Sequence, residues 1–303
     1  MIAIIGSGRV GTSIALQLIS RELDDITLID IVKGLPQGEA LDLGHTASEM
    51  GSDVSIHGSN DYADIKGANI VIVTAGLARK PGMSRLDLAM KNAEIIKPIS
   101  LEIKRYAPDS KVIIVTNPLD VVTYVAFKIT GFPKNRVFGM GGMLDLSRLK
   151  YALATRLGMS RASIRALVIG EHGENMVPLA RYSSVGGIPI TSLLSKNDLD
   201  EAAEDARKVA AEVIALKGAT NFAPANGVAG MVESIARDRK TLVAASTYLE
   251  GEYGVNGICI GVPVILGSNG VEKIVQIELD ADEKNRFMEG VKVLKEAVAS
   301  ITL

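Results

Sequence analysis

In the first half of the chain, short runs of Ile and Val alternate with longer segments whose apolar positions recur at helical spacing. Residues 2–5 (IAII), 26–30 (ITLID), 70–74 (IVIVT) and 112–116 (VIIVT) are apolar at nearly every position, with a shorter run near 137–138. A strand that is apolar on both sides needs cover on both faces, as in a parallel sheet sandwiched by helices. The intervening periodicity predicts helices over about 10–22, 36–50, 85–106 and 119–130. A βαβα series of this kind folds as a doubly wound parallel sheet, because right-handed crossovers place the helices on its faces.

Past about residue 143 the texture changes. LDLSRLKYALATRLG at 144–158 reads as a helix and leads into IRALVIGEHG, followed by strand-like pieces around 180–190. Residues 198–217 form a charged helical pattern, and a second helix starts near Pro224 and continues through MVESIARD at 231–238. LVAASTYL, GICIGVPVILG and KIVQIEL (273–279) read as antiparallel strands with Gly-rich turns, ahead of a final amphipathic helix over about 281–300. The expected architecture is an α/β domain over 1–142 followed by an α+β substrate domain over 143–303. No flexible linker separates them, so the two are expected to pack together with the site between them.

Composition narrows the function classes. A length of 303 residues suits about two domains. With 33 basic and 35 acidic side chains the formal net charge is -2, so no nucleic-acid or anionic-membrane partner is expected. The start, MIAIIGSGRVG, has no basic leader or cleavage site, as expected of a cytoplasmic protein, and no run approaches the roughly 18 apolar residues of a membrane span. Cys259 is the sole cysteine and lies in GICIGVPVIL, where a buried structural thiol is expected. One Cys and three scattered His (His45, His57, His172) offer no zinc-type spacing, and no metal site is expected.

Gly6-Ser7-Gly8-Arg9-Val10-Gly11 follows a strand and opens a helix, the context that a dinucleotide-binding GxGxxG segment requires. The first glycine permits the tight turn, the second lets the backbone approach a pyrophosphate, and the third lets helix and strand pack closely. Asp30 closes the second strand 19 residues after Gly11, where a carboxylate accepts ribose hydroxyls and repels a 2′-phosphate. The motif therefore favours NAD in a Rossmann-type domain. Lys33 would accept a phosphate and keeps NADP open, and the bland reading of Asp30 is a turn residue at a strand end. Thr74, Ala75, Gly76 and Val115 join the candidate cofactor contacts, at the carboxyl edge where open α/β sheets bind ligands.

His172 stands in Gly170-Glu171-His172-Gly173 after the apolar LVI, an accessible strand-end position suited to general acid/base work. Asp145 and Arg148, at i and i+3, share one helix face. Asp145 would hold the imidazole while Arg148 clamps an anion, or the two form an ordinary intrahelical ion pair. Asn117 ends the strand VIIVT before Pro118, either as a ligand contact or as an Asn-Pro turn. In ARKPGMSR (78–85), Arg79 and Arg85 flank a Pro-Gly pair directly after TAG. They read either as solvated surface or as guanidinium forks for an anionic substrate.

GSGRVG with Asp30, TAG with ARKPGMSR, VTNPLD, GMGGMLDLSRLK and IGEHGEN occur in the order and spacing of the lactate/malate dehydrogenase family, which the whole chain resembles. KGAT (217–220) and GVPVILGSNG (261–270) extend the likeness, and within the family the chain looks most like the lactate-dehydrogenase-like malate dehydrogenases of archaea and bacteria. The resemblance implies His172 as proton donor and acceptor with Asp145 as its partner. It implies Arg148 on the substrate's C1 carboxylate and Arg85 on the reacting carbonyl once the loop closes. Asn117 falls at the substrate–cofactor interface, Asn92 matches a further cofactor contact, and Thr220 lies at a secondary discriminating position. Arg79 falls where lactate enzymes usually have Gln and malate enzymes have Arg. The implied activity is reversible hydride transfer between NAD and malate or oxaloacetate in a homodimer or homotetramer. A lactate or other 2-hydroxyacid dehydrogenase, or a non-catalytic NAD-binding regulator, are the alternatives. Two departures stand out: Glu174, where the family commonly has Asp, and the segment NFAPAN.

Overall fold

The computed structural model describes residues 1–78 and 82–303. The first half runs β1 (Ile2–Ile5), α1 (Arg9–Ile19), β2 (Ile26–Ile29), α2 (Leu35–Met50), β3 (Ile56–Ser59), β4 (Ile70–Val73), α3 (Arg85–Tyr106), β5 (Lys111–Ile114), α4 (Leu119–Thr130) and β6 (Val137–Gly139). The second half begins with α5 (Gly142–Leu157), β7 (Ile164–Arg165), β8 (Val168–Gly170), β9 (Met176–Pro178), β10 (Ser184–Val185), β11 (Ile188–Pro189) and α6 (Lys196–Lys217). It ends with α7 (Phe222–Ala236), β12 (Thr241–Glu250), β13 (Asn256–Gly267), β14 (Gly270–Ile274) and α8 (Ala281–Ala299). Among the described residues, no helix is long and apolar enough to cross a membrane.

Strands β1 to β6 lie parallel in the order β3-β2-β1-β4-β5-β6, the doubly wound arrangement expected from the alternation. Side chains alternate across this sheet at the two-residue period of a strand. Ile2, Ile4, Ile70 and Ile72 enter one core with α1 and α7, while Ala3, Ile5, Val71 and Val73 enter another with Ile96, Ile99 and Ile103 of α3 and Val122 and Val125 of α4. Both faces are thereby dry, which is why those runs are apolar throughout. The sheet does not stop at β6. Ser246 of β12 pairs antiparallel with Gly139, and β12, β13, β8 and β9 continue outward, so one sheet runs through both halves.

Two elements depart from the sequence expectation. Strand β3 has the unpromising sequence IHGS and sits at the sheet edge, half-buried. Its glycine is a packing requirement, because a Cβ on Gly58 would lie 2.1 Å from the Pro36 carbonyl oxygen at the start of α2. The last strand is Gly270–Ile274, ending where KIVQIEL was expected to continue. Val275 N still donates to Pro263 O at 2.8 Å, but Pro263 has no N–H to return the bond, and the ladder ends. The following amide contacts turn to Tyr253, whose hydroxyl accepts from Ile277 N at 3.1 Å.

Candidate active site

The Gly-rich segment turns between β1 and α1 where the strand order reverses, with β2 on one side of β1 and β4 on the other. Gly6 has φ +106°, and a Cβ there would lie 2.5 Å from Thr74 Oγ1. A Cβ on Gly11 would lie 1.9 Å from the Gly6 carbonyl oxygen. Around Gly8, by contrast, nothing stands within 4 Å of a Cβ position. The outer glycines are thus demanded by the protein's own packing, while the middle one leaves bare backbone at the start of α1. Gly8 caps that helix without a side-chain bond, so its first amides and the positive end of its dipole are suited to a pyrophosphate. Ser7 N and Val32 N donate to the two oxygens of Asp30, at 2.8 and 2.9 Å, fixing the carboxylate with a lone pair left on each oxygen for a ribose hydroxyl. These groups fit a dinucleotide.

The remaining cofactor-side residues divide by role. Thr74 Oγ1 donates to Gly6 O at 2.8 Å and Thr116 Oγ1 to Ala75 O at 2.7 Å, so both hydroxyls brace the loop ends from behind. Gly76 admits the Thr116 methyl, which would lie 2.4 Å from a Cβ. Val10 and Val115 are half-buried against the core, and Arg9 is exposed, with Nη1 donating to Lys217 O at the end of α6. Asn92 is fully buried and its amide is already engaged: Leu77 N donates to Oδ1 at 2.8 Å, while Nδ2 reaches Leu77 O and, at 2.6 Å, Asn117 O. It fixes the backbone of Leu77 and Asn117 from one layer behind the cleft. Asn117 is exposed, and its side-chain amide makes no hydrogen bond among the described residues.

His172 follows β8 and meets α5 across the cleft. Its Nδ1 lies 2.8 Å from Asp145 Oδ2, and Asp145 is only 2% exposed. The imidazole is less open than its flanking glycines suggested, with 12% of its surface exposed. Burial lowers its pKa, but the Asp145 charge and hydrogen bond, with help from Asp120, outweigh burial and the Arg148 charge, so the net shift is upward. A proton is therefore held on the ring, and Nε2 is left to exchange it. Arg148, one helical turn along α5, has 14% side-chain exposure, and burial pulls its pKa down against the support of Asp145. Its contact with Asp145 Oδ1 is long, 3.6 Å, and it makes no hydrogen bond among the described residues. A mostly buried guanidinium with unfilled donors is a ready carboxylate clamp.

Arg85 opens α3, pinned by the Ser84/Asp87 capping box. Its guanidinium pairs with Glu171 Oε1 at 3.2 Å and Glu174 Oε1 at 2.7 Å, on either side of His172-Gly173. Glu171 is buried, and its second oxygen accepts from Asn175 Nδ2. Thr220 Oγ1 is buried without a hydrogen-bond partner, and no hydrogen bond links it to the His172 group. Arg79, together with Lys80 and Pro81, lies outside the described residues.

Sequence profiles agree with this geometry. The lactate/malate dehydrogenase NAD binding domain matches residues 1–139, and the alpha/beta C-terminal domain of the same enzymes matches residues 142–302. The chain belongs to the lactate/malate dehydrogenase family. Among its relatives, a malate dehydrogenase of Pyrobaculum aerophilum is 50% identical over 303 residues, covering 99% of this chain and 98% of the relative. The solved malate dehydrogenase of Aeropyrum pernix superposes with a TM-score of 0.97 at 45% identity, covering 100% of this chain and 98% of that one. The family's other branch is also near: a lactate dehydrogenase of Cryptosporidium parvum, solved with lactic acid and nicotinamide adenine dinucleotide, gives 0.94 at 39% identity, covering 98% and 96%. Membership therefore makes the chain an oxidoreductase with an NAD-binding domain, and fold alone does not separate the two branches.

Sequence reasoning missed two groups beside His172. Asp120 is 3% exposed, and its Oδ2 accepts the His172 main-chain N–H at 2.8 Å. Its signal was available, since it is the only charge among the first nine residues of α4, LDVVTYVAF. Glu171, next to the histidine, gave no local signal, because its partner Arg85 lies 86 residues away.

Proposed function

We propose that the chain is an NAD-dependent malate dehydrogenase that interconverts malate and oxaloacetate. The observation that carries the reading is the convergence of the His172–Asp145 pair with the hydrogen-bond-free Arg148 guanidinium, in a chain whose full-length relatives are named malate dehydrogenase. Gly6 to Gly11 and the first turn of α1 would hold the pyrophosphate, and Asp30 the adenosine ribose, favouring NAD over NADP by charge. When bound, the nicotinamide supplies or accepts the hydride.

Arg148 holds the carboxylate next to the reacting carbon, and its burial strengthens that pairing. Protonated His172 donates from Nε2 to the carbonyl oxygen as it gains charge, while Asp145 stabilises the imidazolium. Arg85 turns from Glu171 and Glu174 to the same oxygen, and an exposed contact such as Glu174 is readily exchanged for substrate. Asn117 offers its free amide at the junction of substrate and cofactor. Arg79 pairs with the second carboxylate, and Thr220 takes a secondary part in discrimination. In malate oxidation neutral His172 takes the proton from the hydroxyl, so the two directions have opposite pH dependences.

The likeness to a lactate dehydrogenase supports the second reading, a monocarboxylate enzyme. Loss of reduced-nicotinamide absorbance with oxaloacetate or with pyruvate, using NADH and then NADPH, separates the two and tests cofactor choice. Absence of turnover with both would point to an NAD-binding regulator. A cytoplasmic homodimer or homotetramer is part of the same reading, tested by light scattering on the purified protein and by cell fractionation.

A further inference from the structure

Helix α4 buries Leu119, Val121, Val122, Val125 and Ala126, yet it carries a buried carboxylate in its first turn. Asp120 Oδ2 is committed to the His172 amide. Asp120 Oδ1 and the Ser246 hydroxyl on β12 are both buried, and neither closes a hydrogen bond. A filler side chain at this place would be apolar, and an amide acceptor alone would serve the His172 N–H equally well. The carboxylate also joins two parts of the site. Asp120 follows Asn117 by three residues, and Asn117 is fixed through its carbonyl by Asn92 Nδ2 at 2.6 Å. His172 is thus held from two sides, by Asp145 of α5 at the ring and by Asp120 of α4 at the main chain.

We propose that Asp120 is a positioning residue for the proton-transfer step: it ties the His172 backbone to the strand end bearing Asn117 and keeps a second negative charge beside the imidazole. The proposal rests on the reading of His172 as proton donor and acceptor. Among the described residues, the charged groups around the imidazole are Asp145 and Arg148 of α5, Asp120 of α4 and the adjacent Glu171, which Arg85 of α3 pairs with. Around Asp120 they are His172 and Glu171, with the Cys259 thiol of β13, kept protonated by burial, as the remaining titratable neighbour. Burial pushes the Asp120 carboxyl up to about 6, against the pull of the His172 amide and ring and of the neighbouring Ser246 hydroxyl, whose dipole acts on the carboxylate although it stops short of a closed hydrogen bond. Above that pH Asp120 is an anion that supports the imidazolium. Removing its charge lowers the His172 pKa, so the acid limb of malate oxidation and the alkaline limb of oxaloacetate reduction both move to lower pH.

Two variants of the full chain separate position from charge. Asp120→Asn keeps an acceptor for the His172 N–H and removes the charge, whereas Asp120→Ala removes both. We expect Asp120→Asn to retain most of kcat, with both limbs displaced downward and the difference from wild type fading below about pH 6. Asp120→Ala should lose about tenfold or more in kcat with KM for oxaloacetate and Kd for NADH little changed, as misplacement of a proton donor demands. The His172 ring titration, followed by NMR, reads the charge effect without reference to turnover. An unshifted titration in Asp120→Asn together with unchanged kcat in Asp120→Ala overturns the proposal. So does a loss of NADH binding, stability and kcat in equal measure in both variants, which marks a merely structural role. If Asp120→Ala does not fold, the Asp120→Asn titration and pH profile decide alone. If the wild type turns over neither substrate, the functional reading fails, while the ring titration still decides whether Asp120 supports the imidazolium.

Discussion

Asp145→Asn is the most informative single change, because one carboxylate serves both ends of the chemistry. Oδ2 lies 2.8 Å from His172 Nδ1 and Oδ1 lies 3.6 Å from Arg148 Nη1, in a side chain 2% exposed. The amide preserves volume and one acceptor but removes the charge, so the imidazolium loses its main support and burial is left to depress the ring's pKa. A buried hydrogen bond to a charged group contributes about 1.5–3 kcal/mol, which corresponds to roughly 10- to 100-fold in rate. We therefore expect kcat/KM for oxaloacetate to fall by roughly that factor. The equilibrium constant belongs to the reaction and not to the enzyme, so malate oxidation must lose correspondingly. The pH limbs of both directions should move to lower pH. The assay is steady-state kinetics across pH in both directions, with NADH binding by fluorescence as a control expected to stay constant. Activity within about threefold of wild type, with unshifted limbs, would refute the pairing as the source of His172's protonation.

Gly11→Ala would place a methyl 1.9 Å from Gly6 O, so α1 must move off the sheet; we expect a lower Tm and an NADH Kd raised at least about tenfold, measured by thermal unfolding and fluorescence titration. Arg148→Leu removes the buried clamp and should raise KM for oxaloacetate roughly tenfold to a hundredfold while leaving NADH binding unchanged, as read by parallel kinetics and titration. Arg79→Gln should lower oxaloacetate turnover and raise pyruvate turnover, and unchanged relative rates would sink the role given to that side chain.

Much of this was legible locally. The parallel strands were evident because burial on both faces leaves an all-apolar run, and the fingerprint because its glycines answer to contacts that follow from β-turn-α geometry. His172 stood out at a strand end, and Asp145 and Arg148 as an i, i+3 pair on one helix face. What escaped depends on contacts distant in the chain. Strand β3 is an edge strand whose glycine makes sense only with α2 against it. The end of β14 is set by the missing N–H of Pro263 on its partner strand. The backbone-bracing bonds of Asn92 reach residues 15 and 25 positions away. Arg85 was recognisable as a functional cation, but its resting partners Glu171 and Glu174 lie on the His172 loop, and nothing near Arg85 in sequence announces them.

We infer that this site is built for a two-carboxylate substrate. The direct measurement is kcat/KM for oxaloacetate against pyruvate with NADH, on the wild-type chain. Pyruvate offers no second carboxylate, and losing a charge-assisted pair with the arginine assigned to it costs about a few kcal/mol, so oxaloacetate should be preferred by about a hundredfold or more. Equal or greater efficiency with pyruvate would rule out a site specific for two carboxylates.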